Sequence, residues 1–182
     1  HFEENLFVYY QFIKKMVNVG VKQVVITGTC FEYGMQNGCL TENMETKPQN
    51  AYALAKDTLH KFLQELKQNT PFILQWIRLF YMFGKGQNPN SILAQLDAAI
   101  DNHEILFKMS GGEQLRDYMP VENVADSIIN LMERDTLDGI FNCCSGKPIS
   151  VRKLVENRIE ERKATIKLNL GHYSYPDYEP MA

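Results

Sequence analysis

The strongest constraint on this chain lies in residues 24–56. Val24-Val25-Ile26-Thr27 is a short apolar, β-branched run that breaks at Gly28-Thr29. A run of that kind reads as a buried parallel strand whose carboxyl end carries a hydroxyl, at the edge where open α/β sheets hold their ligands. After a polar loop the chain resumes as Pro48-Gln49-Asn50-Ala51-Tyr52-Ala53-Leu54-Ala55-Lys56. Pro48 cannot occupy a helix interior and Asn50 is a good N-cap, so a helix is predicted from Ala51. Tyr52 and Lys56 then lie four residues apart on one helical face.

A hydroxyl, a phenol and an ammonium brought together make a proton-transfer device. A phenol titrates near 10 and exchanges protons poorly at neutral pH, whereas a neighbouring ammonium favours the phenolate. On this reading Lys56 lowers the pKa of Tyr52, and Thr29 holds a carbonyl or alcohol oxygen in line with the phenol. Such chemistry suits oxidation of an alcohol, or reduction of a ketone, beside a hydride carrier.

Strand, Gly28-Thr29, Tyr33-Gly34 and a Pro-led helix carrying Tyr52 and Lys56 together resemble the extended short-chain dehydrogenase/reductase family, of the NAD-dependent epimerase/dehydratase type. The resemblance implies a catalytic triad of Thr29, Tyr52 and Lys56, and an NAD or NADP cofactor contacted by Tyr52 and Lys56. It also implies an α/β fold: the C-terminal part of a Rossmann-like doubly wound parallel sheet plus a small α/β substrate-binding subdomain. Residues 1–88 are expected to form the second half of the Rossmann-type domain. Residues 89–182 are expected to form mainly the substrate subdomain, with some segments returning to the sheet.

The 182 residues, 45% of them hydrophobic, suffice for one core-bearing unit, with no internal repeats or low-complexity tracts. A net charge of −3 and a pI near 5.8 argue against nucleic acid or an anionic membrane as the main partner. No stretch approaches twenty apolar residues and no signal pattern opens the chain, so a cytoplasmic location is the default. The cysteines Cys30, Cys39, Cys143 and Cys144 form no C-x-x-C pair, and His60, His103 and His172 lie far from them and from one another. A metal site therefore has no sequence support. The chain opens at His1 and enters at once an amphipathic pattern of Leu6, Tyr9, Tyr10, Ile13 and Val17. No G-x-x-G-x-x-G turn is present, so the chain reads as the C-terminal part of a longer protein and by itself is not expected to bind a dinucleotide tightly.

Residues 51–66 place Ala51, Leu54, Ala55, Leu59, Phe62, Leu63 and Leu66 in one stripe. The resemblance implies a homodimer in which this helix and the preceding one pair as a four-helix bundle. Residues 72–83 read as a central strand closed by Gly84-Lys85-Gly86. They are similar to the family segment that sets Phe80 along the nicotinamide and the next residue toward the sugar. Tyr81 stands where that segment usually has Asn, and Lys85 where it has Pro; Tyr81 either reshapes sugar recognition or simply packs. A helix is predicted at residues 91–101, a strand at 105–109, a helix from Val121 onward, a strand at 139–144 and a helix at 151–163, the last with Ser150 as its N-cap. The packing positions of the helix from Val121 are taken as Val124, Ala125, Ile128, Leu131 and Met132. Arg116-Asp117-Tyr118-Met119-Pro120-Val121 resembles a block of the sugar-nucleotide enzymes and implies that Arg116 approaches the substrate diphosphate while Asp117 orders its loop. The aromatic, Pro-rich residues 171–180 are expected to be irregular and docked, and could border the sugar pocket.

The departures narrow the activity. Dehydratases of this type carry Thr-Asp-Glu at the strand end, because elimination needs an acid and a base beyond the tyrosine; here Cys30 and Phe31 follow Thr29. Glu32 is expected to point to the opposite face of an extended segment. The segments around Thr29 and Phe80 look most like reductases of nucleoside-diphosphate 4-keto-6-deoxy sugars from O-antigen or capsule pathways. A 4-epimerase is the alternative within the family, and a non-catalytic binding subunit the alternative from another class.

Overall fold

A computed structural model describes residues 2–175 and 180–181. Its architecture is mixed α/β and resolves into two compact units. One comprises the chain up to Phe80 together with Glu122–Cys144; the other comprises Tyr81–Val121 and the residues from Ser145 on.

The first unit is built on a parallel sheet of β1 (Gln23–Thr29), β2 (Ile73–Leu79) and β7 (Gly139–Cys143), in the order β1-β2-β7. Gln23 opposes Ile73 and Thr29 opposes Leu79, while Leu79 opposes Cys143, so the three carboxyl ends finish at one level. The central strand β2 alternates between two faces, as the pleat requires. On one face Leu74 and Trp76 join Ile13 and Val17 of α1 (Val8–Asn18) and Leu59, Leu63 and Leu66 of α2 (Ala51–Asn69) in a single hydrophobic cluster. On the other, the fully buried Gln75 amide donates to the carbonyls of Leu131, Arg134 and Leu137, which end α4 (Val121–Met132) and its following turn. Leu131 O and Arg134 O also accept backbone N–H groups of the turn, from Arg134 and Leu137, and the amide ties all three carbonyls to β2. Asp138 accepts from the Leu74 N–H and pairs with Lys67.

Local chemistry set the elements. Asn50 caps α2 by accepting from the Ala53 N–H at 2.8 Å. Gly34 has φ +72°, and a Cβ there would fall 1.9 Å from the Lys47 carbonyl oxygen, so only glycine lets residues 35–47 fold back onto the strand end. Asn142 on β7 fixes that loop by donating to Leu40 O and, through its N–H, to Glu42.

Several sequence expectations need adjustment. The run 72–83 is not one strand: β2 stops at Leu79 and Tyr81–Phe83 forms β3 of the second unit. On α2 the stripe divides, with Ala55, Leu59, Leu63 and Leu66 buried and Ala51, Leu54 and Phe62 exposed. Tyr9 on α1 is exposed as well. Of the positions assigned to α4, Val124 is buried, whereas Ala125 and Met132 face outward. Amphipathic spacing identified these faces without saying which flank of each meets the sheet.

In the second unit β3 pairs parallel with β6 (Tyr118–Pro120), β4 (Leu106–Lys108) pairs parallel with β9 (Lys167–Asn169), and β5 (Leu115–Arg116) pairs antiparallel with β8 (Ile149–Ser150). The helices α3 (Ile92–Asp101) and α5 (Val151–Glu161) supply Leu93, Leu96, Leu154 and Val155 to its core. Ser150 caps α5 through Lys153 N–H, and Arg158 joins the helices by two 2.9 Å bonds to Asp97. Asp117 accepts from the N–H groups of Ser145 and Gly146, each at 2.7 Å, the loop-ordering role expected of it. The tail is irregular and docked: His172 N–H donates to Met109 O, and Leu115 N–H donates to Met181 O. Pro176, Asp177, Tyr178 and Glu179 lie outside the described residues.

His60 packs its ring on Trp76, with centroids 4.9 Å apart, and takes a hydrogen bond from the Gln64 amide. Since an amide nitrogen can only donate, His60 Nε2 is unprotonated. Burial, reinforced by the positive charge of Arg78, lowers its pKa from 6.5 to about 4. The unfolded chain therefore binds more protons between those values, and stability is lost as pH falls through them. Acid titration of unfolding should show a loss of up to about 3 kcal/mol over this window, absent in His60→Gln.

Candidate active site

The end of β1 is organised by a short 3₁₀ turn, Cys30–Tyr33. Thr29 remains extended and caps it: its Oγ1 accepts from Phe31 N–H at 3.3 Å, and its own N–H donates to Glu32 Oε1 at 2.9 Å. This is a reciprocal capping box. Because the segment turns instead of continuing as a strand, Glu32 does not point to an opposite face. It folds back into the interior, where it is wholly buried.

Buried charge survives only when paired and hydrogen-bonded. Arg78 Nε donates to Glu32 Oε2 at 2.8 Å, and Trp76 Nε1 lies 3.2 and 3.1 Å from the two carboxylate oxygens. The Arg78 guanidinium lies 4.4 Å from the centre of the Tyr33 ring, and the Tyr33 hydroxyl donates to Asn142 Oδ1 at 2.7 Å. The cluster thus spans β1, β2 and β7 just beneath the strand ends. It also explains Gly28: a Cβ there would lie 2.3 Å from Trp76 Nε1 and 2.5 Å from Glu32 Oε1. Burial raises the Glu32 pKa against the opposing pull of Arg78.

Lys56 reaches from α2 to the same strand, its Nζ donating to Thr27 O at 2.8 Å. Burial lowers its pKa, partly offset by the charge of Glu32. Tyr52, one turn earlier on α2, is 38% exposed. Its pKa is raised by burial, then by the charges of Glu32 and Cys30, the reverse of the direction expected from a neighbouring ammonium. Desolvation and a buried carboxylate outweigh Lys56, so the phenol is held protonated at neutral pH. Phe80 follows β2, half-buried, with its N–H donating to Cys143 O.

Thr29, Lys56 and Phe80 therefore sit at the carboxyl edge of one parallel sheet, with Tyr52 on the helix that Lys56 ties to it. Tyr81 and Arg116 belong to the second unit. There the Arg116 guanidinium is 5.3 Å from the centre of the Tyr81 ring and donates to Leu115 O, and Tyr81 packs on Tyr118 at 5.4 Å. The sequence reading missed Glu32, Trp76 and Arg78. A signal for the first was available, since Thr29-x-x-Glu32 spells a capping box.

The family model described as "NAD dependent epimerase/dehydratase family" matches residues 2–144. This chain belongs to that family. It is 33% identical over 181 residues to the dTDP-6-deoxy-L-talose 4-dehydrogenase (NAD(+)) of Aggregatibacter actinomycetemcomitans, covering 98% of this chain and 66% of that protein. Among solved structures it resembles a UDP-N-acetylglucosamine 4-epimerase from Methanobrevibacter ruminantium M1 in complex with UDP-N-acetylmuramic acid. The TM-score is 0.88 at 24% identity, covering 99% of this chain and 60% of that one. It also resembles RMD from Pseudomonas aeruginosa complexed with NADPH, with a TM-score of 0.85 at 16% identity, over 98% and 63% of the two chains. The chain thus spans under two thirds of the length of these relatives. The talose dehydrogenase and the 4-epimerase are enzymes by name, and the RMD structure carries NADPH.

The ion pair makes a direct stability test possible. Arg78→Met leaves the Glu32 carboxylate buried without its cation and should cost about 3–5 kcal/mol in equilibrium unfolding.

Proposed function

We propose that the protein carrying this chain reduces the C4 ketone of a nucleoside-diphosphate 4-keto-6-deoxyhexose to the alcohol. The observation that carries this reading is Lys56 Nζ donating to Thr27 O, two residues before Thr29 at the strand end, from the helix that bears Tyr52 one turn earlier. The 6-deoxytalose 4-dehydrogenase relative supports the choice of carbon and sugar class, because oxidation at C4 of such a sugar is the reverse of this reduction.

The residues present fit a nicotinamide dinucleotide. Lys56 has three N–H donors, of which Thr27 O engages one, and so can serve ribose hydroxyls; Phe80 offers a flat apolar surface. The bound NADH or NADPH supplies the hydride. The chain's own part is acid catalysis and orientation. Tyr52, held as the neutral phenol, gives its proton to the oxygen that becomes the alcohol. Thr29 uses one lone pair for Phe31 N–H, which leaves its O–H to donate to that same oxygen. Lys56 favours the phenolate as the proton leaves, and is the group through which Tyr52 is returned to the acid form. In the second unit Arg116 is the proposed diphosphate anchor, placing binding energy away from the reacting carbon, and Tyr81 a sugar contact.

A cytoplasmic setting belongs to the same reading. Cys30, Cys39, Cys143 and Cys144 are free thiols, and no helix among the described residues is long and apolar enough to cross a membrane. The exposed Phe12 and Met16 of α1 and Leu54 and Phe62 of α2 support a homodimer formed by these two helices. Light scattering of the full-length protein should give a dimer mass, and Phe12→Glu should give the monomer without loss of helix signal.

The decisive assay measures cofactor stoichiometry in the full-length protein. A reductase oxidises one NADH or NADPH per sugar, whereas a 4-epimerase consumes none. Tyr52→Phe should lower kcat by about 10²–10⁴-fold with substrate binding retained. Near-normal turnover in that variant would overturn the assignment.

A further inference from the structure

We propose that Glu32 is the positioning residue for the reaction: through the Thr29 N–H it fixes the strand-end turn that holds the Thr29 hydroxyl in place. The inference rests on the reading of Thr29, Tyr52 and Lys56 as the reacting constellation, and adds to it a residue that touches neither sugar nor cofactor.

A hydroxyl can donate or accept, and a free threonine does either. Here two bonds fix where the hydroxyl sits. Glu32 Oε1 accepts the Thr29 N–H, and the turn this closes presents Phe31 N–H to Thr29 Oγ1. With one lone pair occupied by an N–H, the O–H and the second lone pair are left for an incoming carbonyl or developing alkoxide. The turn is only four residues long, and the Glu32 carboxylate at its third position is held from β2 by Arg78 Nε and Trp76 Nε1.

Glu32 also acts through space. The groups that act on it or feel its charge are Arg78 and Trp76 from β2, Thr29 N–H, and Tyr52 and Lys56 from α2; His60 of α2 packs on Trp76 and feels the charge of Arg78. Its negative charge disfavours the Tyr52 phenolate and favours the Lys56 ammonium. A single carboxylate thus places the threonine hydroxyl and holds the tyrosine as a proton donor, as reduction of a ketone requires.

The test uses the full-length protein and the variant Glu32→Gln, which keeps size but loses the charge and one of the two acceptor oxygens. Turnover should fall roughly tenfold to a hundredfold with KM changed by less than about threefold. In a Thr29→Ala background the same substitution should cost clearly less, because the part of its effect that acts through the Thr29 hydroxyl is already gone. The Tyr52 phenolate, followed by ultraviolet absorbance against a Tyr52→Phe blank, should titrate at lower pH in Glu32→Gln than in the parent. If Glu32→Gln does not fold, Glu32→Gln with Arg78→Met removes both buried charges and is measured instead. Undiminished turnover, a cost that persists in full without the Thr29 hydroxyl, or an unmoved phenolate titration overturns the inference. Absence of ketone reduction in the parent overturns the substrate reading alone, since the phenolate titration needs no substrate.

Discussion

The Glu32–Arg78 ion pair is the interaction on which the working edge of this protein depends. Removing two charges from water is expensive, and their attraction repays it only when the remaining donors and acceptors are also satisfied. Here Thr29 N–H, Trp76 Nε1 and Arg78 Nε converge on one carboxylate, and Tyr33 covers the guanidinium with its ring. Thr29 and Arg78 lie at strand ends, Glu32 and Tyr33 in the turn that follows β1, and Trp76 in the middle of β2. The pair therefore joins the strand ends where side-chain packing alone would leave the sheet edge free to fray, and Gly28 is the gap that lets the indole and carboxylate approach.

From this cluster the rest of the first unit follows outward. Tyr33 hands the connection to Asn142 on β7, and Asn142 in turn holds the returning loop through Leu40 and Glu42. Gly34 lets that loop pass close enough for Lys47 N–H to reach Glu32 O. The loop ends at Asn50, whose cap starts α2, and α2 brings Lys56 back to Thr27. The path from the buried carboxylate to the reacting groups is a closed circuit of short hydrogen bonds. On the opposite face of β2, Gln75 does for the end of α4 what the ion pair does for the turn, by tying its backbone carbonyls to the central strand.

Where the signal is local, the sequence is legible. The β-branched run into Gly28-Thr29, the Pro48–Asn50 helix start and the Ser150 cap each depend on a few adjacent residues, and each element formed there. The partnership of Glu32 with Arg78 was not legible, because 46 residues separate them and neither residue type announces burial. Glu32 was misplaced for a local reason: an extended segment was assumed through Tyr33 when Thr29 and Glu32 already spelled a turn. The direction of the Tyr52 shift was missed because it depends on desolvation, which spacing along a helix does not report. Likewise, the periodicity of α2 showed which residues share a stripe, but not that Leu54 and Phe62 lie on its uncovered flank.

Glu32 also bears on which reactions the site can support. A carboxylate this close to Thr29 and Tyr52 invites the role of a second acid or base, as elimination of water would need. Its environment removes that role. Both oxygens already accept from backbone, indole and guanidinium donors, and none of the side chain is open to a substrate. A general base must have a lone pair within reach of the proton it takes, and this one has its oxygens committed inward. What remains at the edge is one neutral phenol, one oriented hydroxyl and one ammonium. Those groups suffice to accompany hydride transfer at a carbonyl carbon, and they lack the extra acid–base pair on which dehydration depends.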